Sequence, residues 1–209
     1  MSRGLSPEIL VRAYASGVFP MAKDRADRRV YWVDPEERGI LPLPSFHVPR
    51  SLRKTLRKAP FDIRVDTAFA EVMDGCALSK PGREKTWIND EIHRQFQELH
   101  KLGLAHCVEC WSGDTLVGGL YGLSLGAAFF GESMFSHATD ASKVALVDLV
   151  ARLKLAGYVL LDTQFITDHL TRFGAVEIPR DDYLAMLAAA LAMPASFPTG
   201  PVAWERAMD

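Results

Sequence analysis

No apolar run in the 209-residue chain approaches the roughly 20 residues that a membrane span requires, and the first twenty residues, which include Arg3, Glu8 and Arg12, lack a signal-peptide core. A cytosolic protein is therefore expected. Only three cysteines are present, Cys76, Cys107 and Cys110, an odd number that argues against a disulfide framework and suits a reducing compartment. Charge of either sign is scarcely in excess: 24 Lys and Arg stand against 26 Asp and Glu. A globally basic nucleic-acid binder is thus excluded, and any anion-binding surface has to be a local cluster. No internal repeat and no low-complexity segment interrupts the chain. What remains, with 48% hydrophobic residues, can fill the core of one good-sized domain, or of one domain and a small module.

The local pattern places the elements. Ser6-Pro7-Glu8 starts a helix with Ile9, Leu10, Ala13 and Tyr14 at helical spacing, and Gly17 stops it. The stretch from Val18 to Pro49 is rich in proline and aromatic residues and reads as short strands joined by turns. Arg50 to Lys58 reads as a helix, Phe61 to Val65 as a strand, and Asp66 as the cap of a helix carrying Phe69, Val72 and Met73. Asn89 caps a further helix that ends at Gly103. Three strands follow, Ala105 to Trp111, Thr115 to Ser124 and Gly126 to Ser133, with turns short enough for antiparallel neighbours. A helix over 141–156, a buried strand from Tyr158 to Asp162, helices over 166–173 and 180–192, and an extended tail from Pro194 complete the reading. The class is α+β, a mixed sheet covered by helices, in an order that resembles the GNAT-like acyltransferase fold. A small N-terminal α/β domain over 1–82 precedes the acyltransferase-like domain at 83–193, with the tail at 194–209.

Several residues could carry chemistry. Arg50, Arg53, Lys54, Arg57 and Lys58 share one helix face, and no acid lies between Val48 and Pro60 to pair with them. That stripe is either a solvated face or a phosphate-binding one, which Lys80, Arg83 and Lys85 would extend. Cys107 and Cys110 have the spacing of a metal or redox pair, but residues three apart on a strand point to opposite faces. The glycines at 118, 119, 122 and 126 lie inside strand-like sequence, where they let a ligand or neighbouring backbone approach closely. Glu132, embedded among apolar residues in Gly131 to Ser136, needs a partner, structural or catalytic. Asp162 and Gln164 end the next buried strand and, two apart in an extended segment, leave the same face.

Taken together and in register, Gly118 to Gly122, Gly131 to Ser136, Asp140 to Lys143, Asp162-Thr163-Gln164 and Phe173-Gly174-Ala175 with Ile178-Pro179-Arg180 resemble the leucyl/phenylalanyl-tRNA protein transferases. Tyr14 to Pro20, Phe46 to Arg50 and Thr86-Trp87-Ile88 match that family's N-terminal half. The resemblance implies an aminoacyl-tRNA donor charged with Leu, Phe or Met, and an acceptor protein beginning with Arg or Lys. It implies a product marked for the N-degron route and an enzyme that uses neither metal nor cofactor; a monomer is expected because no heptad seam is present. It also implies that Asp162 and Gln164 form a catalytic pair beside Glu132, with Met134, Leu120, Phe129 and Trp87 around the aminoacyl group. On that view Arg50, Arg53, Lys54, Arg57 and Lys58 lie near the tRNA acceptor stem. Met21 departs from the pattern: many members carry Trp there, and a stack on the terminal adenosine would then be reduced or supplied differently.

For the reaction, the Gln164 carbonyl would accept a hydrogen bond from the attacking amine while Asp162, bonded to the Gln164 side-chain NH2, polarises it. Two other readings stay open. An acyl-CoA-dependent N-acetyltransferase would place a glycine-rich pyrophosphate loop before the long helix, whereas His137-Ala138-Thr139-Asp140-Ala141 has no glycine and carries an acid. A non-catalytic adaptor for N-termini or tRNA would bind without transfer.

Overall fold

The computed structural model describes residues 5–78 and 85–208. Helix α1 (Pro7–Ala15) begins as its sequence predicts: the Ser6 hydroxyl accepts the Ile9 amide at 3.3 Å and Pro7 fills the first turn. It leads into a hairpin of β1 (Phe19–Met21) and β2 (Tyr31–Val33), then β3 (Glu37–Ile40). A 3-10 turn at Leu43–Ser45 precedes α2 (Arg50–Arg57), β4 (Asp62–Val65) and α3 (Phe69–Ala77). Helix α4 (Asp90–Lys101) is capped by Asn89, whose side chain accepts the Ile92 amide at 2.8 Å. Then come β5 (Ala105–Ser112), β6 (Thr115–Leu125), β7 (Ala128–Ser136) and the long α5 (Ala141–Leu155). The order ends with β8 (Leu160–Gln164), α6 (Asp168–Thr171), β9 (Val176–Pro179) and α7 (Arg180–Leu191).

Seven strands make one mixed sheet in the order β4-β5-β6-β7-β8-β3-β9. Neighbours are antiparallel except β7 and β8, which run parallel because α5 crosses between them. The expected α+β class holds. Strands β3 and β4, which precede residue 82, belong to the same sheet as β5 to β9. The boundary expected at residue 82, with Lys80 and Arg83, lies outside the described residues.

The sheet separates two apolar layers. On one side α2, α5 and the tail pack through Leu52, Leu56, Leu146, Leu149 and Phe197; on the other α1, α3, α4 and α7 pack through Leu10, Phe69, Phe96 and Leu187. Cys110 belongs to the first layer and Cys107 to the second, the opposite orientation that strand alternation predicts.

Three local expectations are corrected. Asp66 does not cap α3: it sits at φ +58 with its carboxylate on the Cys107 amide at 2.8 Å and His106 Nδ1 at 2.7 Å. The buried Glu109 of β5 instead accepts the Thr67 and Ala68 amides at 2.7 and 2.8 Å, so a charge that needs donors meets helix-start amides that need an acceptor. The helix expected over 166–173 shrinks to α6, because the Thr167 hydroxyl caps the Leu170 amide and starts it late. Nor is the tail simply extended. Arg152 Nη1 donates to the carbonyls of Pro198 and Gly200 at 2.8 and 2.6 Å, Phe197 stacks on His106 and Phe129, and a 3-10 turn forms at Trp204–Met208.

Candidate active site

Strands β7 and β8 pair only from Ala128 to Phe130 against Leu160 to Asp162, and past that point they part. The gap is a cavity of about 470 Å³ whose wall draws on both apolar layers, with Leu146, Leu149 and Leu161 from one and Phe19 and Tyr121 from the other. Leu120, Met134 and Trp87 line it as well, and Glu132, Thr163 and Gln164 supply polar groups.

Glu132 owes its position to a register shift. Gly131 pairs with Gly122 and Ser133 with Tyr121, which leaves Glu132 as the extra residue of a β-bulge that re-aims its side chain. Gly122 makes the tight crossing possible: a Cβ there would lie 2.3 Å from the Phe130 carbonyl and 2.4 Å from the Phe129 ring.

Gln164 is aimed by a second irregularity. It sits at φ +58, and the Phe165 amide donates to the Thr163 carbonyl at 2.6 Å, closing a three-residue turn around it. On the facing strand Gly39 leaves room, since a Cβ there would meet the Phe165 carbonyl carbon at 2.7 Å. A non-glycine residue held in the left-handed region at a strand end is a common mark of a functional position.

The polar network runs from the core to the cavity. Gln164 Nε2 donates to Glu132 Oε1 at 3.2 Å, and the Tyr14 hydroxyl donates to the same oxygen at 2.7 Å. Behind them Asp162, fully buried, accepts Arg38 Nε at 3.0 Å and Arg38 Nη2 at 2.7 Å, the Tyr183 hydroxyl at 2.7 Å and the Gln164 backbone amide at 2.8 Å. Arg38, also buried, donates in addition to the Gly17 carbonyl at 2.8 Å and lies over the rings of Phe19 and Tyr183. One ion pair thereby ties the α1–β1 turn, β3, β8 and α7 together.

Electrostatics follow from this enclosure. Burial pushes the Glu132 carboxyl up to about 8, with the Asp162 charge adding to the rise while the Tyr14 hydrogen bond and Arg38 oppose it. Glu132 also lines the cavity. Burial, and then the Glu132 charge, hold the Tyr14 hydroxyl well above its ordinary range; burial and Asp162 do the same to Tyr183. Both tyrosines therefore remain donors.

Of the residues expected at the site, Glu132 and Gln164 meet directly, and Met134, Leu120 and Trp87 line the cavity. Asp162 stands behind the wall. It does not touch the Gln164 side-chain amide as expected but accepts its backbone N–H, because the left-handed turn rotates the glutamine off the face that alternation assigns to it. Phe129 does not reach the cavity: it lies in the paired part of β7, where no gap exists, and packs against Phe197 and Tyr158. On α2, Arg50, Lys54, Arg57 and Lys58 are exposed, and Arg53 donates to the Val48 carbonyl at 2.8 Å. Among the described residues none of the five has an acidic partner within salt-bridge distance.

Sequence reasoning missed Arg38, Tyr14 as a donor, and Tyr183. Arg38 follows Asp34-Pro35-Glu36-Glu37, a run that reads as surface, and the one available signal was that a buried Asp162 demands a cation.

Comparison with known proteins identifies the family. The family model described as leucyl/phenylalanyl-tRNA protein transferase matches residues 40–188, and that for the same family's N-terminal domain matches residues 3–36. A protein of Paramagnetospirillum magneticum named leucyl/phenylalanyl-tRNA protein transferase is 62% identical over 207 residues, 99% of either chain. Relatives of the same name from Rhodospirillum rubrum and Maricaulis maris are 61% and 59% identical, over 92% and 95% of this chain and 91% and 92% of theirs. Among solved structures, the C-terminal domain of a putative lysylphosphatidylglycerol synthetase from Agrobacterium fabrum is 13% identical with a TM-score of 0.42, over 88% of this chain and 63% of that one. So loose a likeness carries no argument. The near full-length identities and the family match do: this chain belongs to the leucyl/phenylalanyl-tRNA protein transferase family and is a tRNA-dependent aminoacyltransferase.

Proposed function

We propose that the protein transfers Leu, Phe or Met from the ester of its aminoacyl-tRNA to the α-amine of proteins that begin with Arg or Lys, in the cytoplasm and as a monomer. The product would carry a new N-terminal residue that marks it for the N-degron route. The observation that carries this reading is the contact of Gln164 with Glu132 at the polar end of an apolar cavity. The parting of β7 from β8 beside a crossover helix supports a GNAT-like acyltransferase relationship, with an activated ester in place of a thioester.

An aminoacyl ester is already activated, so the protein has only to hold an unprotonated amine in line with the carbonyl, and good positioning supplies on the order of 7–11 kcal/mol. The side chain of the donor's Leu or Phe enters among Leu146, Leu149 and Met134. With its NH2 on Glu132, the Gln164 side-chain carbonyl is left to accept a hydrogen bond from the amine. A C–N bond forms, the C–O bond to the ribose breaks, and the proton released by the amine returns to the ribose hydroxyl. Glu132 attracts the cationic N-terminal residue of the acceptor. Asp162 and Arg38 position Gln164 and do not touch the reactants.

The test is to offer leucyl-tRNA and an Arg-initiated peptide without ATP or acetyl-CoA and to look for the Leu-Arg product by mass spectrometry. Gln164→Ala should lower turnover far more than tRNA affinity; equal losses in both would remove its role.

A further inference from the structure

A second cavity, of about 420 Å³, opens between the end of α2, the edge strand β4, α5 and the C-terminal tail. It shares no lining residue with the cavity between β7 and β8. Val144, Asp148 and Arg152 recur every four residues, so one face of α5 forms its wall, while Leu146 and Leu149 serve the other cavity from a different face. Most of the wall is apolar, with Leu56, Phe61, Ile63 and Trp204 beside Val144. Two charges interrupt it. Asp148 and Arg152 are 5% and 2% exposed, and Arg152 Nε donates to Asp148 Oδ1 at 2.5 Å. Arg152 Nη1 is taken by the Pro198 and Gly200 carbonyls of the tail. One atom of each residue, Asp148 Oδ2 and Arg152 Nη2, is left without a hydrogen-bond partner among the described residues. Neither atom is enclosed, so solvent reaches both. Such a pair is incomplete, because buried ions are favourable only when their remaining polar atoms are satisfied.

We propose that this second cavity binds a free α-amino acid with an apolar side chain, its ammonium on Asp148 Oδ2 and its carboxylate on Arg152 Nη2. The site lies apart from the transfer reaction and does not depend on it. An anion and a cation side by side on one helix face, each with an atom to spare, call for a ligand that carries both charges close together. An α-amino acid has them on one carbon. A ligand with a single charge would leave the other group open. Both contacts are charge-assisted, the stronger class of hydrogen bond. The side chain then lies among Leu56, Phe61 and Trp204, where an aromatic ring gains ring contacts as well as burial. A cavity of this volume is at the small end of the range for ligand sites and suits one residue rather than a long peptide. It is also preformed. Arg152 Nη1 holds the tail at Pro198 and Gly200, and Lys154 Nζ donates to the Ala207 carbonyl at 2.9 Å, which fixes Trp204 between them and lowers the entropy lost on binding.

The experiment is equilibrium dialysis of radiolabelled L-phenylalanine against the full chain, with competition by 2-phenylethylamine, which keeps only the ammonium, and by 3-phenylpropanoate, which keeps only the carboxylate. Each competitor should bind about tenfold or more weaker than phenylalanine, the loss expected when one hydrogen bond to a charged group is not made. Asp148→Asn should weaken phenylalanine by a similar factor and 3-phenylpropanoate not at all, a split that a general loss of structure would not produce. Trp204→Ala, outside the ion pair, should weaken all three ligands. Glu132→Gln, in the cavity between β7 and β8, should change none of these constants. Binding that survives both Asp148→Asn and Trp204→Ala, or that Glu132→Gln abolishes, would overturn the assignment. So would single-charge competitors as tight as phenylalanine, or a wild-type chain with no saturable binding at millimolar concentrations. Transfer is not read in this experiment, so a wild-type chain that makes no Leu-Arg product would leave the site standing.

Discussion

Replacing Asp162 separates stability from chemistry at this site. Four hydrogen bonds converge on its carboxylate, two of them from the buried guanidinium of Arg38. Asp162→Asn leaves that cation enclosed without an opposite charge, and breaking one side of a buried pair costs about 3–5 kcal/mol. Against a total stability on the order of 5–15 kcal/mol the variant should still fold. Its Tm should fall by roughly 6–20 °C, at about 2–4 °C per kcal/mol for a chain of this size. Turnover should fall as well, because the remaining carbonyl oxygen is shared between Arg38 and the Gln164 amide and, without its charge, steadies the left-handed turn less. The decisive variant is the double replacement Arg38→Met with Asp162→Leu. Exchanging both ions for apolar side chains is often neutral or stabilising, so Tm should recover towards the wild type while leucyl transfer stays low. Thermal melts followed by circular dichroism and single-turnover transfer assays read the two quantities separately. A double variant that recovers Tm and turnover together would refute the positioning role of Asp162, and an Asp162→Asn protein as stable as the wild type would refute the buried pair itself.

Three more outcomes are expected. Glu132 has its carboxyl raised from 4.5 to about 8 in the folded chain. The folded state therefore keeps a proton that the unfolded state releases, and this contribution to stability, complete at low pH, is lost as pH rises through that window. The Tm of Glu132→Gln relative to the wild type should accordingly rise between about pH 5 and pH 8, whereas a constant difference would contradict the shift. Replacing Lys54 and Arg57 with Gln should flatten the plot of log tRNA affinity against log salt by about 0.7–0.9 per charge removed, and an unaltered slope would show that α2 does not meet phosphate. Leu149→Phe should fill the apolar end of the cavity and cut phenylalanyl transfer about 10-fold or more relative to leucyl transfer, measured with both charged tRNAs in competition.

The path from sequence to site was uneven for identifiable reasons. Helices α1 and α4 are legible because Ser6 and Asn89 cap them locally, within three residues of the amides they satisfy. Strands β5, β6 and β7 are legible from composition and short turns. Strand β9 is not, since four residues from Val176 to Pro179 are too few to show a period and they exist as a strand only through pairing with β3. The Glu132 and Gln164 encounter is half legible: Gln164 ends a buried strand as expected, but Glu132 lies inside β7 at a bulge, and alternation alone would aim Gln164 the way Asp162 points. Phe129 shows the same limit from the other side, for its place in a family pattern does not say which layer of the sheet receives its ring.

What the amino-acid order determined by itself was whatever depends on neighbours a few bonds away: the capped starts of α1 and α4, the single basic face of α2, and the opposed directions of Cys107 and Cys110. The tertiary structure alone decided where β7 and β8 part, that a bulge turns Glu132 into the gap, and that Arg38, 124 residues earlier in the chain, neutralises Asp162. Register shifts and long-range ion pairs depend on the packing of whole strands against one another, a cooperative term that no window of sequence contains.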